Sequence, residues 1–210
     1  MSHILDALQW RYATKKFDAN RTLSDEKIAV LKNAFNLTAS SFGLQPVKLV
    51  VIQNQKLQDK LVALSMNQQQ VADASHVFVF CIETTIDTAY IASYFENVKD
   101  IRNTPDEILQ PYREYLNSHF EKESPEAIKS WAAKQAYLAM GNLLTACALE
   151  NIDACPMEGF DPSGYDTLLN LSEKGLSSVL VMPIGYRAQD DMFADFKKVR
   201  KPLTETVIEF

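Results

Sequence analysis

The stretch from Ser124 to about Glu150 restricts the fold more than any other. Ser124, Pro125 and Glu126 supply a capping hydroxyl, a proline suited to the first helical position and an early acidic residue. From Trp131 to Leu149 the residues are apolar or small on nearly every side. Such a helix is buried all round. At about 1.5 Å of rise per residue it runs roughly 40 Å. One domain of 210 residues can hardly surround that length, so a second copy of the chain is expected to cover one face.

The rest reads as helices and strands around that rod. Ser2 caps a first helix with Ile4, Leu8 and Tyr12 on one stripe, placing Arg11 in or just after its last turn. Ser24 starts a second helix with Ile28, Leu31 and Phe35 on its buried face. Val47 to Gln53 and His76 to Glu83 are β-branched and apolar without helical period, so both are predicted to be buried strands, with a helix through Leu57, Leu61 and Leu64 between them. Ile86 to Phe120 is mostly helical, its later part opened by Thr104 as cap and Pro105 as first residue, and it carries Tyr112, Tyr115 and Phe120. Asp153 to Pro156 is predicted as a short strand, Pro162 to Leu169 as a helix, and Ser177 to Tyr186 as a core strand interrupted by Pro183. The tail from Leu203 to Phe210 alternates enough to suggest an edge strand on this subunit or its partner. No linker divides the chain, so residues 1–210 are expected to form one unit.

The formal charge of −6 argues against nucleic acid or an anionic membrane as the main partner. Cys81, Cys147 and Cys155 are odd in number and lack C-x-x-C spacing, which points to a reducing compartment rather than a disulfide framework. With only His3, His76 and His119, and no H-E-x-x-H, no metal centre is expected, and His76 reads as structural. Met1 to Asp6 lacks a cationic region leading into an apolar core, and no apolar run reaches spanning length, so a cytoplasmic location is expected.

Against that acidic background two basic clusters stand out, Arg11 with Lys15 and Lys16 near the start, and Lys197-Lys198-Val199-Arg200-Lys201 near the end. Arginine and lysine together suit a phosphate monoester, the guanidinium pairing two oxygens and the ammonium acting as a point charge. Arg11, Lys15, Lys198 and Arg200 are the residues assigned to such a site, although each cluster taken singly also reads as a solvated surface run. No glycine falls in G-x-G-x-x-G or in a P-loop, so a phosphate here is held by side chains and loop amides. The Ser40 to Pro46 loop and the Cys155 to Phe160 segment each carry a glycine that permits close backbone approach, and each also reads as plain turn chemistry. The residues alone reach an anion-binding, dimeric α/β protein.

Taken in order, Arg11 to Asp18 (R-x-x-x-K-x-F-D), Ser40 to Pro46 (S-S-x-x-x-Q-P), Asp73 to His76, Ala133 to Gln135 before Gly141-Asn142, Pro156 to Phe160, Pro183 to Tyr186 and Lys198-x-Arg200 resemble the nitroreductase family of FMN-dependent NAD(P)H oxidoreductases, in particular its oxygen-insensitive branch. The resemblance spans essentially the whole chain. It implies an α+β fold, a mixed or antiparallel central sheet flanked by helices, and an intertwined homodimer whose two FMN sites are lined by both chains. By resemblance, Arg11, Lys198 and Arg200 hold the FMN phosphate, Tyr12 and Ala13 lie alongside, and Lys15, Asn67 and Gln70 meet the pyrimidine edge. Glu158 and Gly159 bring backbone amides to the ring, Pro156 and Met157 are further cofactor-binding positions, and Ser40, Ser41 and Gly43 come from the other subunit. A cation at that edge stabilises the negative charge that reduction places on the ring. Lys15, Glu158 and Gly159 therefore tune the chemistry. Phe42, Tyr115 and Phe120 are expected to wall the acceptor pocket.

The implied activity is two-electron, ping-pong reduction of nitroaromatics, quinones or similar small acceptors by NAD(P)H. A protein that stores, senses or consumes flavin without such turnover is the alternative. Two departures from the family pattern bear on the site. Gln70 stands where close relatives often have a basic residue, and Tyr12 and Ala13 replace a histidine and a serine.

Overall fold

A computed structural model describes residues 2–210. In chain order the elements are α1 (His3–Trp10), α2 (Asp25–Asn36), β1 (Val47–Ile52), α3 (Gln55–Leu64), α4 (Gln70–Asp73), β2 (His76–Glu83), α5 (Thr88–Arg102), α6 (Asp106–Glu121), α7 (Pro125–Leu149), β3 (Asp153–Ala154), α8 (Pro162–Leu168), β4 (Leu176–Gly185) and α9 (Leu203–Thr206). The strands form one sheet in the order β1-β2-β4-β3, antiparallel throughout. The expected α+β class stands, and the open choice between a mixed and an antiparallel sheet falls to antiparallel.

β2 shows why this sheet is a two-sided layer. Phe78, Phe80 and Ile82 point to one face and pack with Leu143, Ala136 and Ala139 of α7 and Leu31 of α2. Val77, Val79 and Cys81 point to the other and pack with Leu61 of α3 and Tyr165 of α8. Alternate residues of a strand face opposite ways, so a strand covered on both faces must be apolar throughout. A third cluster, including Ile91, Phe95, Leu116 and Phe120, joins α5 to α6.

Four sequence-based expectations are corrected. Pro183 does not interrupt β4, since it pairs opposite Val77 and its carbonyl accepts from Cys155 N–H at 3.0 Å; a proline lacks only a donor. β1 is half-buried rather than buried, being the strand at one edge of the sheet. The later part of the Ile86 to Phe120 segment starts at Asp106, with Pro105 outside it at ψ 145° and Thr104 not acting as its cap. The tail forms no strand in this subunit, because Leu203–Thr206 closes into one helical turn and Val207 to Phe210 meets no sheet edge. Short α4 was not foreseen, one turn being too brief to show a period.

α7 is only partly covered by its own chain. Ala132, Ala136, Ala139 and Leu143 are buried, but Tyr137 and Leu138 are about half exposed on the opposite stripe. Ile4, Leu5 and Leu8 of α1 are exposed as well. Among the described residues no helix is long and apolar enough to cross a membrane.

Candidate functional site

The segment 11–18 leaves α1 at Arg11, whose N–H closes the helix on the Ala7 carbonyl at 3.1 Å. Ala13 then bridges Ala154 at the end of β3, and Thr14 N–H reaches the Ala154 carbonyl at 3.3 Å. The other side of the segment is fastened to a buried carboxylate. Asp191 accepts from Tyr12 Oη at 2.8 Å, Lys15 N at 2.9 Å, Lys16 N at 3.1 Å and Phe193 N at 3.1 Å. Burial pushes the Asp191 carboxyl up, but those donors outweigh it and hold it below the ordinary aspartate value. The Tyr12 phenol moves the opposite way, raised by burial and by its bond to Asp191.

Fixing Arg11 brings the two ends of the chain together. The Lys198 ammonium donates to the Arg11 carbonyl. The Arg11 pKa is lowered by burial and by the Arg200 charge, and that of Lys198 by burial and by Arg11, Arg200 and Arg187. Among the described residues no carboxylate pairs with Arg11, Lys15, Lys198 or Arg200. Arg187 is different, held by Asp153 through Nε at 2.7 Å and its backbone N–H at 2.9 Å, with its guanidinium 4.3 Å from the Trp10 ring and 4.6 Å from that of Tyr12. Lys16 is also neutralised, by Asp190. Three cations crowd together with nothing to balance them, an arrangement that favours an anion.

The Pro156 to Gly159 segment supplies donors of another kind. Met157 exchanges both backbone bonds with Val181 of β4, at 2.8 and 3.1 Å. Phe160 N–H returns to the Glu158 carbonyl at 3.0 Å, and Asp161 N–H to the Leu64 carbonyl at 2.7 Å. Among the described residues nothing accepts from the N–H of Glu158 or of Gly159. Two successive amides are left without a protein acceptor. The Glu158 side chain accepts from Tyr137 Oη at 2.7 Å, and Gln68 Nε2 donates to the Gly159 carbonyl at 3.0 Å. Asn67 is exposed at φ 58°, whereas Gln70 is buried at the start of α4.

The remaining expected residues stand on another wall. Ser41 N–H donates to Gln135 Oε1 at 2.9 Å, and Ser40 lines a cavity of about 790 Å³ with Gln45, Tyr90 and Tyr94. Gly43, at φ 75°, faces Tyr94 so closely that a Cβ would lie 2.8 Å from its hydroxyl. Nothing described links 40–43 to Arg11 or Gly159 through a hydrogen bond. Phe42 packs its ring against His119 at 5.4 Å, Phe120 at 5.9 Å and Trp131 at 6.0 Å, and Tyr115 stacks between Tyr112 and His119. Phe120 is buried behind them, while Tyr112 and Tyr115 face solvent.

The sequence model of the Nitroreductase family matches residues 8–186. The chain belongs to the nitroreductase family. YfkO of Bacillus subtilis is 36% identical over 201 residues, 90% of each chain. The oxygen-insensitive NAD(P)H nitroreductase of Salmonella typhimurium is 32% identical over 215 residues, 97% of each. Among solved structures, ydfN of Bacillus subtilis superposes with a TM-score of 0.89 at 21% identity over all of both chains. A protein of Exiguobacterium sibiricum, solved in complex with FMN, gives 0.83 at 19% identity, covering 99% of this chain and 97% of its own.

Within this nitroreductase-family fold, sequence reasoning missed Gln68, Tyr137, Asp191 and Arg187. Each is a lone polar residue whose partner lies far along the chain. Asp191 alone left a trace, as an aspartate placed to cap the turn at Met192–Asp195.

Proposed function

We propose that the protein is an FMN-dependent oxidoreductase that takes electrons from NAD(P)H and passes them in pairs to small electrophilic acceptors such as nitroaromatics or quinones. The observation that carries this reading is the unpaired Arg11, Lys198 and Arg200 cluster, built from both ends of the chain. It fits a phosphate monoester, and the free amides of Glu158 and Gly159 fit the polar edge of a flavin ring. The Salmonella relative is named for NAD(P)H-driven nitro reduction, and the Exiguobacterium neighbour was solved with FMN.

On this reading Arg11, Lys198 and Arg200 hold the phosphate, with Tyr12 and Ala13 alongside. Lys15, Asn67 and Gln70 face the pyrimidine edge, where Lys15 supplies the one nearby charge and Gln70 only an amide. Pro156 and Met157 set the backbone that presents the Glu158 and Gly159 donors. FMN, when bound, supplies the hydride-accepting and hydride-returning chemistry. The protein's part is to orient, to place positive charge where negative charge develops, and to leave one face open. As the chain has no separate dinucleotide fingerprint, NAD(P)H and acceptor take that face in turn, giving ping-pong kinetics.

The same reading makes the protein a homodimer. Tyr137 and Leu138 of α7, with Ile4, Leu5 and Leu8 of α1, form the exposed apolar stripe that a second copy covers. The partner then brings Ser40, Ser41 and Gly43 to the flavin, and Phe42 and Tyr115 to the acceptor. Anaerobic mixing of FMN-loaded protein with NADH and with NADPH tests the activity. Bleaching by either, reversed by a nitroaromatic or a quinone, is expected, whereas no bleaching by both would leave a flavin-binding protein without turnover.

A further inference from the structure

The two free amides at Glu158 and Gly159 are anchored by different means. In a trans peptide the C=O and N–H point opposite ways, so fixing a carbonyl aims the amide on the same plane. The Glu158 N–H shares its plane with the Met157 carbonyl, which accepts from Val181 N–H of β4 at 3.1 Å. That donor is aimed by the sheet.

The Gly159 N–H has no such support. It shares its plane with the Glu158 carbonyl, whose partner is Phe160 N–H at 3.0 Å. Phe160 N–H in turn shares its plane with the Gly159 carbonyl, and that carbonyl accepts from Gln68 Nε2 at 3.0 Å. Two linked peptide planes thus rely on one side chain, the next plane being held by Asp161 N–H on the Leu64 carbonyl at 2.7 Å. The turn carrying Gln68 is shaped to reach it, with Met66 at φ 54° and Asn67 at φ 58°. The approach is close, since a Cβ at residue 159 would lie 3.2 Å from Met66 Sδ and 3.4 Å from Gln68 Nε2.

We propose that Gln68 is the positioning residue that aims the Gly159 amide, and through it one of the two backbone donors offered to the flavin ring. The peptide orientation stands on the geometry alone, while its effect on flavin rests on the function proposed above. Without the Gln68 donor the 159–160 plane keeps only the local Phe160-to-Glu158 bond, and the Gly159 N–H gains freedom to rotate. The Glu158 N–H stays fixed.

The test uses weakly aligned, ¹⁵N-labelled, flavin-free protein and reads the one-bond N–H dipolar couplings of Glu158 and Gly159. Gln68→Ala and Gln68→Met are compared with wild type, the methionine keeping the bulk without the donor. Gln69→Ala, whose amide bonds only Asp73 at 3.3 Å, is the control. The Gly159 coupling is expected to change in both Gln68 variants while the Glu158 coupling holds. An unchanged Gly159 coupling would overturn the proposal. A change at both residues would also overturn it, since Gln68 would then merely hold the turn together. In FMN titrations the Gln68 variants are expected to bind roughly fivefold more weakly than wild type and Gln69→Ala, the scale of one hydrogen bond. Equal affinity despite an altered coupling would sever this amide from the flavin. Failure of wild type itself to bind FMN would sink the functional reading, and the couplings would still decide the orientation.

Discussion

The phenol of Tyr12 donates a 2.8 Å hydrogen bond to the carboxylate of Asp191, 179 positions away in the chain. The same carboxylate takes the amides of Lys15 and Lys16. Both ends of the protein are therefore closed on one charge, 5% exposed, beside the proposed flavin site.

That arrangement fixes the sign of one pH effect. The folded-state pKa of Asp191 is depressed, because its hydrogen bonds outweigh the cost of burial. Its stabilisation is complete above the unfolded aspartate pKa and is lost as pH falls through the folded value. Asp191→Asn should lower stability at neutral pH by about 1–3 kcal/mol, as expected for loss of hydrogen bonds to a charged group. It should also flatten the acid limb of stability against pH. Urea denaturation of both proteins across the acid range measures this, and parallel curves would remove Asp191 from that role.

At Lys198 stability also rises with pH, but because the charged form is the disfavoured one. Its folded pKa is depressed by burial and by Arg11, Arg200 and Arg187. Stability of the flavin-free protein should rise as pH climbs from the folded toward the unfolded lysine value, since a crowded charge is relieved. FMN affinity should fall over the same interval, because the phosphate loses a cation. In Lys198→Arg that decline should disappear, a guanidinium staying protonated. Fluorescence titrations at rising pH would show it, and identical profiles for the two proteins would contradict it.

Gly43 combines a left-handed φ of 75° with a Cβ position only 2.8 Å from the Tyr94 hydroxyl. Gly43→Ala should cost about 1–3 kcal/mol of stability. Tyr94→Phe removes the crowded oxygen and should recover part of that in the double variant, leaving the backbone share. A fully additive cycle in thermal or urea unfolding would show that the close approach contributes nothing.

Leu138, about half exposed on α7 beside Tyr137, tests the pairing of chains. Leu138→Glu puts a charge into the stripe proposed to face a second copy. Sedimentation should show wild-type dimers and variant monomers, with flavin affinity falling together with assembly. A monomeric wild type that binds FMN would contradict the two-chain site.

Much of the fold was legible because it rests on long apolar patterns. β2 shows as an unbroken apolar run since both its faces are covered, and α7 as a rod of small residues against that sheet. The basic cluster proposed to hold the phosphate was legible as a cluster, its charge being conspicuous in an acidic chain. That the tail forms no strand within its own subunit has a physical reason. Val207 and Ile208 sit among charged and polar residues as in an edge strand, but that pattern cannot show that no edge of the subunit's own sheet is in reach. Gln68 was invisible, and Asp191 showed only as a turn cap, because single polar residues carry no period and their partners become neighbours only after folding.

The most direct test of the central claim is a paired titration of flavin-free protein with FMN and with riboflavin, which differ only in the phosphate. FMN should bind at least tenfold more tightly, the scale of charge-assisted bonds from arginine and lysine to a phosphate. Arg11→Ala and Arg200→Ala should each narrow that gap while leaving riboflavin affinity unchanged. Equal affinity for the two flavins in wild type, or no uptake of FMN, would contradict the account.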